Sequence, residues 1–98
     1  MTIRTETKDG TCVVYLEGRL DTVTAPEAES ALNECAKGAS HLVADLRGLS
    51  YISSAGLRVF LNAHKLMSGA GSFTLRNVGD PVREVLDITG FSSILRIE

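Results

Sequence analysis

The sequence has 98 residues, of which 44% are hydrophobic and 22% charged, and its formal net charge at pH 7 is −2. This length predicts one domain over residues 1–98, with enough apolar surface for a modest core without a metal or a disulfide. The basic residues are scattered and only 5% of the residues are aromatic, which excludes the basic, aromatic-rich surface of a typical nucleic-acid binder.

Apolar segments that would direct the chain to a membrane are absent from the sequence. The first ten residues lack the apolar core of a signal peptide, and no apolar run approaches the ~20 residues that span a bilayer. We therefore expect a cytoplasmic protein with no membrane partner. Cys12 and Cys35 show neither a C-x-x-C motif nor a zinc-binding spacing, so we expect two reduced thiols that pack as small hydrophobic groups.

Strand patterns open the chain. Residues 3–7 alternate weakly, as in an edge strand, and the Asp9-Gly10 pair that follows is a strong signal for a tight hairpin turn. Residues 12–16 are rich in β-forming side chains, and Gly18 marks either a bulge or the end of that strand.

A first helix is predicted to begin at Thr24. Its hydroxyl could accept from the amide of Glu27, whose carboxylate could reach back to the Thr24 amide in a capping box. Pro26 is tolerated in a first turn, and Gly38 is placed to end the helix. An apolar stripe at helical spacing comprises Ala28, Ala31, Leu32 and Cys35.

The second half alternates strands and helices. His41 to Leu46 is mostly apolar, as in a central strand covered on both faces, and residues 57–67 form a helix with a wide apolar face. Residues 73–76 alternate between apolar and polar and suggest another strand. Asp80, as N-cap, and Pro81 open a third helix that Gly90 ends. Residues 94–97 form a short last strand.

This order of elements, β-β-α-β-α-β-α-β, predicts an α/β domain with a small mixed, mostly parallel sheet, an N-terminal β-hairpin and helices packed over it. Functional loops of open α/β sheets gather beyond the carboxyl ends of the strands. Two segments are expected there: the loop Leu20-Asp21-Thr22 and the junction Ser53-Ser54, which opens the middle helix.

The paired serines have two interpretations. A serine is a favoured N-cap, so capping alone could explain one of them. It does not explain the second serine or the small Ala55-Gly56 that follows. Small neighbours leave a hydroxyl open to a partner, and the positive end of a helix would stabilise a phosphate attached there. The junction is therefore suited to reversible serine phosphorylation.

Catalytic readings of the junction are weak. A nucleophile elbow needs Gly-x-Ser-x-Gly, whereas Tyr51-Ile52-Ser53-Ser54-Ala55-Gly56 lacks the first glycine. A phosphate-binding P-loop would need a lysine that is absent here. His41 and His64 fall at the start of a strand and late in a helix, so a catalytic triad is not expected. We expect no catalytic residues, no metal ligands and no cofactor.

The segment from Asp45 to Leu57, DLRGLSYISSAGL, resembles the signature of the STAS family, and specifically of the bacterial anti-sigma factor antagonists. Gly18-Arg19-Leu20-Asp21 matches the Gly-x-Leu-Asp element of that family. The opening hairpin, the element order and the length also agree, so the resemblance covers essentially the whole chain.

The resemblance implies a single STAS domain that acts as a partner-switching regulator and not as an enzyme. In such proteins the unphosphorylated form binds and sequesters a serine kinase that doubles as an anti-sigma factor. The kinase uses ATP to phosphorylate one serine, which releases it, and a PP2C-type phosphatase reverses the modification. The free protein is expected to be a monomer.

Matching the motif residue by residue gives Ser54 as the phosphorylated serine. Ser53 stands where the family often has Asp, which leaves it as a rival acceptor. Asp21 matches a loop position implicated in kinase contact, although such a carboxylate can also cap backbone amides. Arg58 could pair with a phosphate or an acidic patch, or lie on a merely solvated helix face. The expected partner-binding residues are Asp21, Thr22, Ser53, Gly56, Leu57, Arg58, Asn62 and Lys65.

Two other functions are compatible with the sequence. One is a ligand-sensing or scaffold STAS module without a phosphorylation switch. The other is a small serine-dependent hydrolase or phosphotransferase centred on Ser53 and Ser54.

Overall fold

The structure, a computed structural model, describes residues 1–98. Its strands are β1 (Thr2–Lys8), β2 (Thr11–Leu20), β3 (His41–Asp45), β4 (Leu49–Ile52), β5 (Ser72–Arg76) and β6 (Arg96–Ile97); its helices are α1 (Ala25–Ala36), α2 (Ser54–Met67), α3 (Asp80–Ile88) and a 3-10 helix over Phe91–Ser93. None of these helices is long and apolar enough to cross a bilayer.

The sheet has six strands in the order β1-β2-β3-β5-β6, and β4 pairs with β2 outside this row. Only β1 and β2 are antiparallel, which confirms the mixed, mostly parallel α/β sheet with an opening hairpin. The hairpin pairs Lys8 with Thr11, so Asp9 and Gly10 form the two-residue turn predicted for them. Both turn residues have positive φ, 51° and 82°, which is the conformation that Asp-Gly tolerates.

One hydrophobic core of 22 buried residues lies between the sheet and the helices. Alternate side chains of β2 and β3 face it, among them Val14 and Leu42, which are fully buried. Val13 and Val43 point to the opposite face and are only half-buried. The prediction that the His41–Leu46 strand is covered on both faces is therefore wrong for one of them.

Several elements differ from the sequence-based predictions, including β2, which extends over Thr11–Leu20 and not only over residues 12–16. The four-residue strand β4 was not predicted as a separate element, because the turn Arg47-Gly48 divides it from β3 after only one apolar position. The N-cap of α3 is Gly79, and Asp80 is already helical. The last strand begins two residues later than predicted, because the amides of Ile94 and Leu95 bond to the Phe91 carbonyl and continue the turn of the 3-10 helix over residues 91–93.

A buried carboxylate joins the ends of β3 and β5. Asp45 is 2% exposed, and its side chain accepts from the Arg47 amide at 3.0 Å, from Asn77 Nδ2 at 2.9 Å and from Arg76 Nε at 3.1 Å. Burial by itself would raise the pKa of Asp45, but these donors outweigh it and the pKa is lowered. The carboxylate therefore stays ionised and ties the two strand ends together.

The two cysteines are not the free thiols that the sequence predicted. Cys12, on the core-facing side of β2, and Cys35, in the last turn of α1, are joined as a disulfide, and no free cysteine remains. The prediction failed because 23 positions separate the two residues in the sequence. The packing of α1 on β2 then brings their backbones together.

Candidate functional site

A β-bulge at Gly18 creates the geometry of the site. The register of β2 shifts between Gly18 and Arg19, and Gly18 has a φ of 108°, which glycine adopts without strain. The pairings of β2 with β3 and with β4 are both parallel: before the bulge β2 pairs with β3, and after it with β4. Of the two sequence-based alternatives for Gly18, the bulge is correct.

Because β2 and β4 run in parallel after the bulge, their carboxyl ends lie side by side. Leu20 is opposite Ile52, and the Ser53 amide donates to the Leu20 carbonyl at 2.9 Å. The loop that begins at Asp21 therefore lies next to the start of α2. The two segments expected at the functional edge of the sheet are brought together, and we call them the switch surface: residues 19–24 and 51–54, with Arg58.

The paired serines have opposite environments. Ser54 is the first residue of α2 and is exposed. Ser53 is the N-cap residue, but its side chain makes no capping bond, and its Oγ is buried without a hydrogen-bond partner. Capping therefore explains neither serine, and the only hydroxyl of the pair that solvent reaches is that of Ser54.

The start of α2 has a positive electrostatic character. The amides of Ser54, Ala55 and Gly56 precede the first intrahelical bond, which runs from the Leu57 amide to the Ser53 carbonyl at 3.0 Å. The first turn contains no acidic residue that would neutralise it. Arg58, one turn further along, is exposed and takes part in no salt bridge. An anion attached at Ser54 would meet free amides and this guanidinium.

The neighbouring loop is held by Asp21. Its Oδ1 accepts from the amides of Val23 at 3.0 Å and Thr24 at 3.1 Å. The bond from the Thr24 amide is the main reason that the pKa of Asp21 is lowered, so the carboxylate stays ionised. The carboxylate is thus at least a cap of backbone amides, one of the two roles considered for it.

The capping box predicted for Thr24 and Glu27 is wrong. The Thr24 hydroxyl instead accepts from the Asp21 amide at 2.9 Å and donates to the Arg19 carbonyl at 2.8 Å. Its amide is already satisfied by Asp21, so Glu27 has no donor to reach back to. The Thr24 amide is therefore capped by Asp21, which precedes the helix, and not by Glu27 within it.

The other predicted contact residues divide into exposed and buried. Thr22, Arg58 and Lys65 are exposed, and Asn62 is exposed but donates to Glu29 Oε1 of α1 at 3.2 Å. Gly56 and Leu57 are buried. The structure thus places these last two residues in the core, where they seat α2 on the sheet, and not on the predicted contact surface.

Gly56 is where α2 approaches the sheet most closely. A Cβ added there would lie 2.7 Å from both Ile52 Cγ1 and Leu20 Cγ. We expect Gly56→Ala to lower the free energy of unfolding by about 2 kcal/mol, because the core must shift to admit the methyl group. Urea unfolding followed by circular dichroism measures the change. Gly69 cannot serve as the control position, because its φ is positive and alanine would be strained there. Ser68→Ala is the control instead; Ser68 is exposed at the other end of α2, and its substitution should have little effect. A neutral Gly56→Ala would contradict the close approach.

Sequence reasoning missed an exposed apolar and aromatic group on the switch surface. Val23 is 86% exposed at the tip of the loop, and Tyr51 is 39% exposed. The Arg19 guanidinium lies 4.0 Å from the centre of the Tyr51 ring and 3.9 Å from the Asp21 carboxylate. No sequence signal links Arg19 with Tyr51, because only the bulge register places them opposite each other.

The geometry gives a serine hydrolase no support. His64 is ten positions along α2 from Ser54, which corresponds to about 15 Å of helix rise. His41 begins β3, at the opposite end of the parallel strands, and its Nδ1 lies 2.8 Å from Ser72 Oγ. Neither imidazole can act as a base for the Ser54 hydroxyl.

Comparison with known proteins agrees with this architecture. The model of the STAS domain family matches residues 2–98 of the chain. The chain belongs to the STAS domain family. Among relatives of this STAS domain is BtrV of Bordetella bronchiseptica, which carries the name of an anti-sigma factor antagonist; it is 40% identical over 91 residues, covering 91% of this chain and 78% of the relative.

Solved structures share the same fold. An anti-sigma factor antagonist from Mycobacterium paratuberculosis matches this STAS domain with a TM-score of 0.89 at 28% identity, over 98% of this chain and 83% of that one. The Bacillus cell fate determinant SpoIIAA in its phosphorylated form matches with a TM-score of 0.75 at 19% identity, over 99% and 91% of the two chains. The predicted resemblance to STAS-domain anti-sigma factor antagonists is confirmed.

Proposed function

We propose that this STAS domain is a phosphorylation-gated partner-switching regulator. The unphosphorylated form binds and sequesters a serine kinase that is also an anti-sigma factor. Phosphorylation of Ser54 by that kinase releases it, and a PP2C-type phosphatase restores the binding form. In this proposal the chain is a cytoplasmic regulator and not an enzyme, and it is a monomer when free.

The observation that carries the proposal is the contrast between the two serines. A kinase must reach the hydroxyl that it phosphorylates, and Ser54 is exposed whereas Ser53 Oγ is buried. Ala55, which follows, carries only a methyl group and leaves the Ser54 hydroxyl open to the active site of a kinase. This contrast favours Ser54 over its rival as the acceptor.

The surroundings of Ser54 favour a switch that works through charge. A phosphoserine there adds about −1.5 to −2 charges to a surface that already contains the ionised Asp21. The free amides of α2 and Arg58 would stabilise that phosphate without a change of fold. What changes is the surface that a partner meets, since the phosphate would oppose acidic groups or a bound nucleotide in the kinase.

The identity of the partner is inferred from relatives. BtrV and the Mycobacterium paratuberculosis protein are named anti-sigma factor antagonists, and the SpoIIAA structure is of a phosphorylated form. An anti-sigma factor that is also the kinase for its antagonist would account for both properties of the relatives, the binding and the phosphorylation. The relatives thus support an anti-sigma kinase as the partner of this chain.

Phosphorylation mapping tests the acceptor. The chain is incubated with its cognate anti-sigma kinase and ATP, and the modified residue is located by mass spectrometry. We expect one phosphate, on Ser54, that a PP2C-type phosphatase removes. Ser53→Ala is the matched control and should still be phosphorylated, whereas Ser54→Ala should not. A phosphate that persists in Ser54→Ala would contradict the assignment.

A further inference from the structure

We propose that Cys12 and Cys35 form a reversible thiol–disulfide site, entered from solvent at Cys35 and assisted by the hydroxyl of Thr7. The site lies under the last turn of α1, at the opposite end of that helix from the switch surface. It does not depend on phosphorylation of Ser54.

The backbone places the two cysteines for a disulfide. Their Cα atoms are 5.8 Å apart, within the range of about 4.4–6.8 Å that disulfides require. Cys12 points from β2 toward the helices, and Cys35 is the second-last residue of α1. The pairing therefore follows from the way that α1 packs on the hairpin.

The two sulfurs differ in access. Cys12 is 3% exposed and belongs to the core, whereas Cys35 is half-buried. A surface cleft between β1 and α1 opens onto the pair, and its lining includes Thr5, Thr7 and Glu34. Because the sulfur of Cys12 is shielded, a small thiol in this cleft reaches the sulfur of Cys35 first.

Thr7 is placed to assist the cleavage. Its Oγ1 donates a hydrogen bond to Cys12 Sγ at 3.3 Å. When a thiolate attacks Cys35, negative charge develops on the Cys12 sulfur. This sulfur is buried, so the water in the cleft does not stabilise the charge. A hydrogen bond to that sulfur makes it a better leaving group, and disulfide exchange is faster with a better leaving group.

The reaction is an ordinary thiol–disulfide exchange with a low-molecular-weight thiol. A thiolate attacks Cys35 Sγ, the bond between the two cysteine sulfurs breaks, and Cys12 leaves as a thiolate that takes up a proton. A second thiolate then attacks the outer sulfur of the mixed disulfide and releases Cys35 as a thiolate, which also takes up a proton. Two electrons pass to the protein, and two small thiols become one small disulfide; the reverse reaction re-forms the bond.

The disulfide fastens the carboxyl end of α1 to β2. In the cytoplasmic location proposed for this chain, disulfides are as a rule transient or redox-sensing, because cellular thiols keep most cysteines reduced. If this pair opens in the folded state, the ratio of reduced to oxidised thiols determines whether the end of α1 is fixed covalently to β2.

Exchange with glutathione tests the site on the whole chain. The native protein is equilibrated at a series of reduced-to-oxidised glutathione ratios, quenched by alkylation and analysed by mass spectrometry. We expect complete interconversion with an unchanged circular dichroism spectrum, and a Tm of the oxidised form about 10 °C higher than that of the reduced form. Reduction that occurs only under denaturing conditions would overturn the proposal.

Single variants test entry and assistance separately. Cys12→Ser should become glutathionylated at Cys35 at least about tenfold faster than Cys35→Ser does at Cys12, because Cys12 is shielded. Thr7→Val should slow reduction of the disulfide by about threefold, the loss of one modest hydrogen bond. Thr5→Val, on the same face of β1 and lining the same cleft, is the matched control and should react like the native chain.

Equal rates for Thr7→Val and Thr5→Val would overturn the role of Thr7, and faster modification of Cys12 would overturn entry at Cys35. If a cysteine variant does not fold, the mixed disulfide trapped during partial reduction of the native chain decides the point of entry. Glutathione found on Cys35 supports the proposal, and glutathione found on Cys12 refutes it.

Discussion

Ser54→Asp is expected to weaken binding of the cognate anti-sigma kinase by at least about tenfold, whereas Ser54→Ala should keep the affinity within about twofold. Aspartate places a permanent negative charge where the proposed phosphate would be attached, beside the ionised Asp21. Alanine removes a hydroxyl that makes no hydrogen bond within the domain. Tenfold corresponds to about 1.4 kcal/mol of binding free energy, which one like-charge contact in an interface can supply.

Isothermal titration calorimetry with the purified kinase measures both affinities. Ser68→Asp is the matched control, because Ser68 is an exposed serine at the other end of the same helix. It adds the same charge away from the switch surface and should leave binding unchanged. If Ser54→Asp and Ser54→Ala bind equally well, charge at this position is not what releases the partner.

Asp45→Ala is expected to lower the free energy of unfolding by about 3 kcal/mol. The carboxylate is almost completely buried, and its removal leaves the Asn77 amide and the Arg47 backbone amide without the acceptor they use here, while Arg76 keeps only its hydrogen bond to the Tyr15 hydroxyl. The side chain of Arg76 is 33% exposed and keeps part of its hydration, which places the cost near the lower end for a broken buried pair.

Asp87→Ala is the matched control for burial. The distance from Arg83 Nε to Asp87 Oδ1 is 3.1 Å, the same as from Arg76 Nη2 to Asp45 Oδ2, but both partners in the Arg83 pair are about half exposed. Urea unfolding at pH 7 should show little change for Asp87→Ala. Equal effects of the two substitutions would mean that burial of Asp45 contributes nothing.

The same carboxylate predicts a dependence of stability on acid. Because the pKa of Asp45 is lower in the folded chain than its unfolded value of about 3.9, ionisation favours folding. This contribution is fully present above about pH 5 and is lost as the pH falls through the folded-state pKa. Urea unfolding of the native chain and of Asp45→Asn should show a constant difference from pH 7 to pH 5 and a shrinking difference below pH 4. A difference that is independent of pH would contradict the assignment.

The order of elements was predictable because each major element carries a local signal. Asp9-Gly10 encodes its own turn, and the apolar stripe around Ala28 and Leu32 encodes α1. The adjacency of Asp21 and Ser53 also followed, from the rule that parallel strands gather their carboxyl ends. These features depend on neighbours in the sequence or on general topology.

Strand β4 and the disulfide were missed because they depend on contacts between distant residues. Strand β4 exists because the bulge at Gly18 frees the end of β2 to pair with it, and four residues alone carry too little pattern. The capping box at Thr24 failed for a local reason. Asp21, three positions earlier, accepts from the Thr24 amide that Glu27 was expected to reach, and the sequence does not rank these two acceptors. The Cys12–Cys35 pairing depends on how α1 packs on β2, and the spacing of the two cysteines in the sequence does not reveal that packing.

The unpartnered hydroxyl of Ser53 affects how α2 can present its first residue. No side chain fastens the start of this helix, so unwinding Ser54 and Ala55 breaks no capping bond. Gly56 is held against Leu20 and Ile52, which stops the unwinding after those two residues. The start of α2 is therefore anchored by the packing of its backbone on the sheet at Gly56, and not by the side chain at its N-cap.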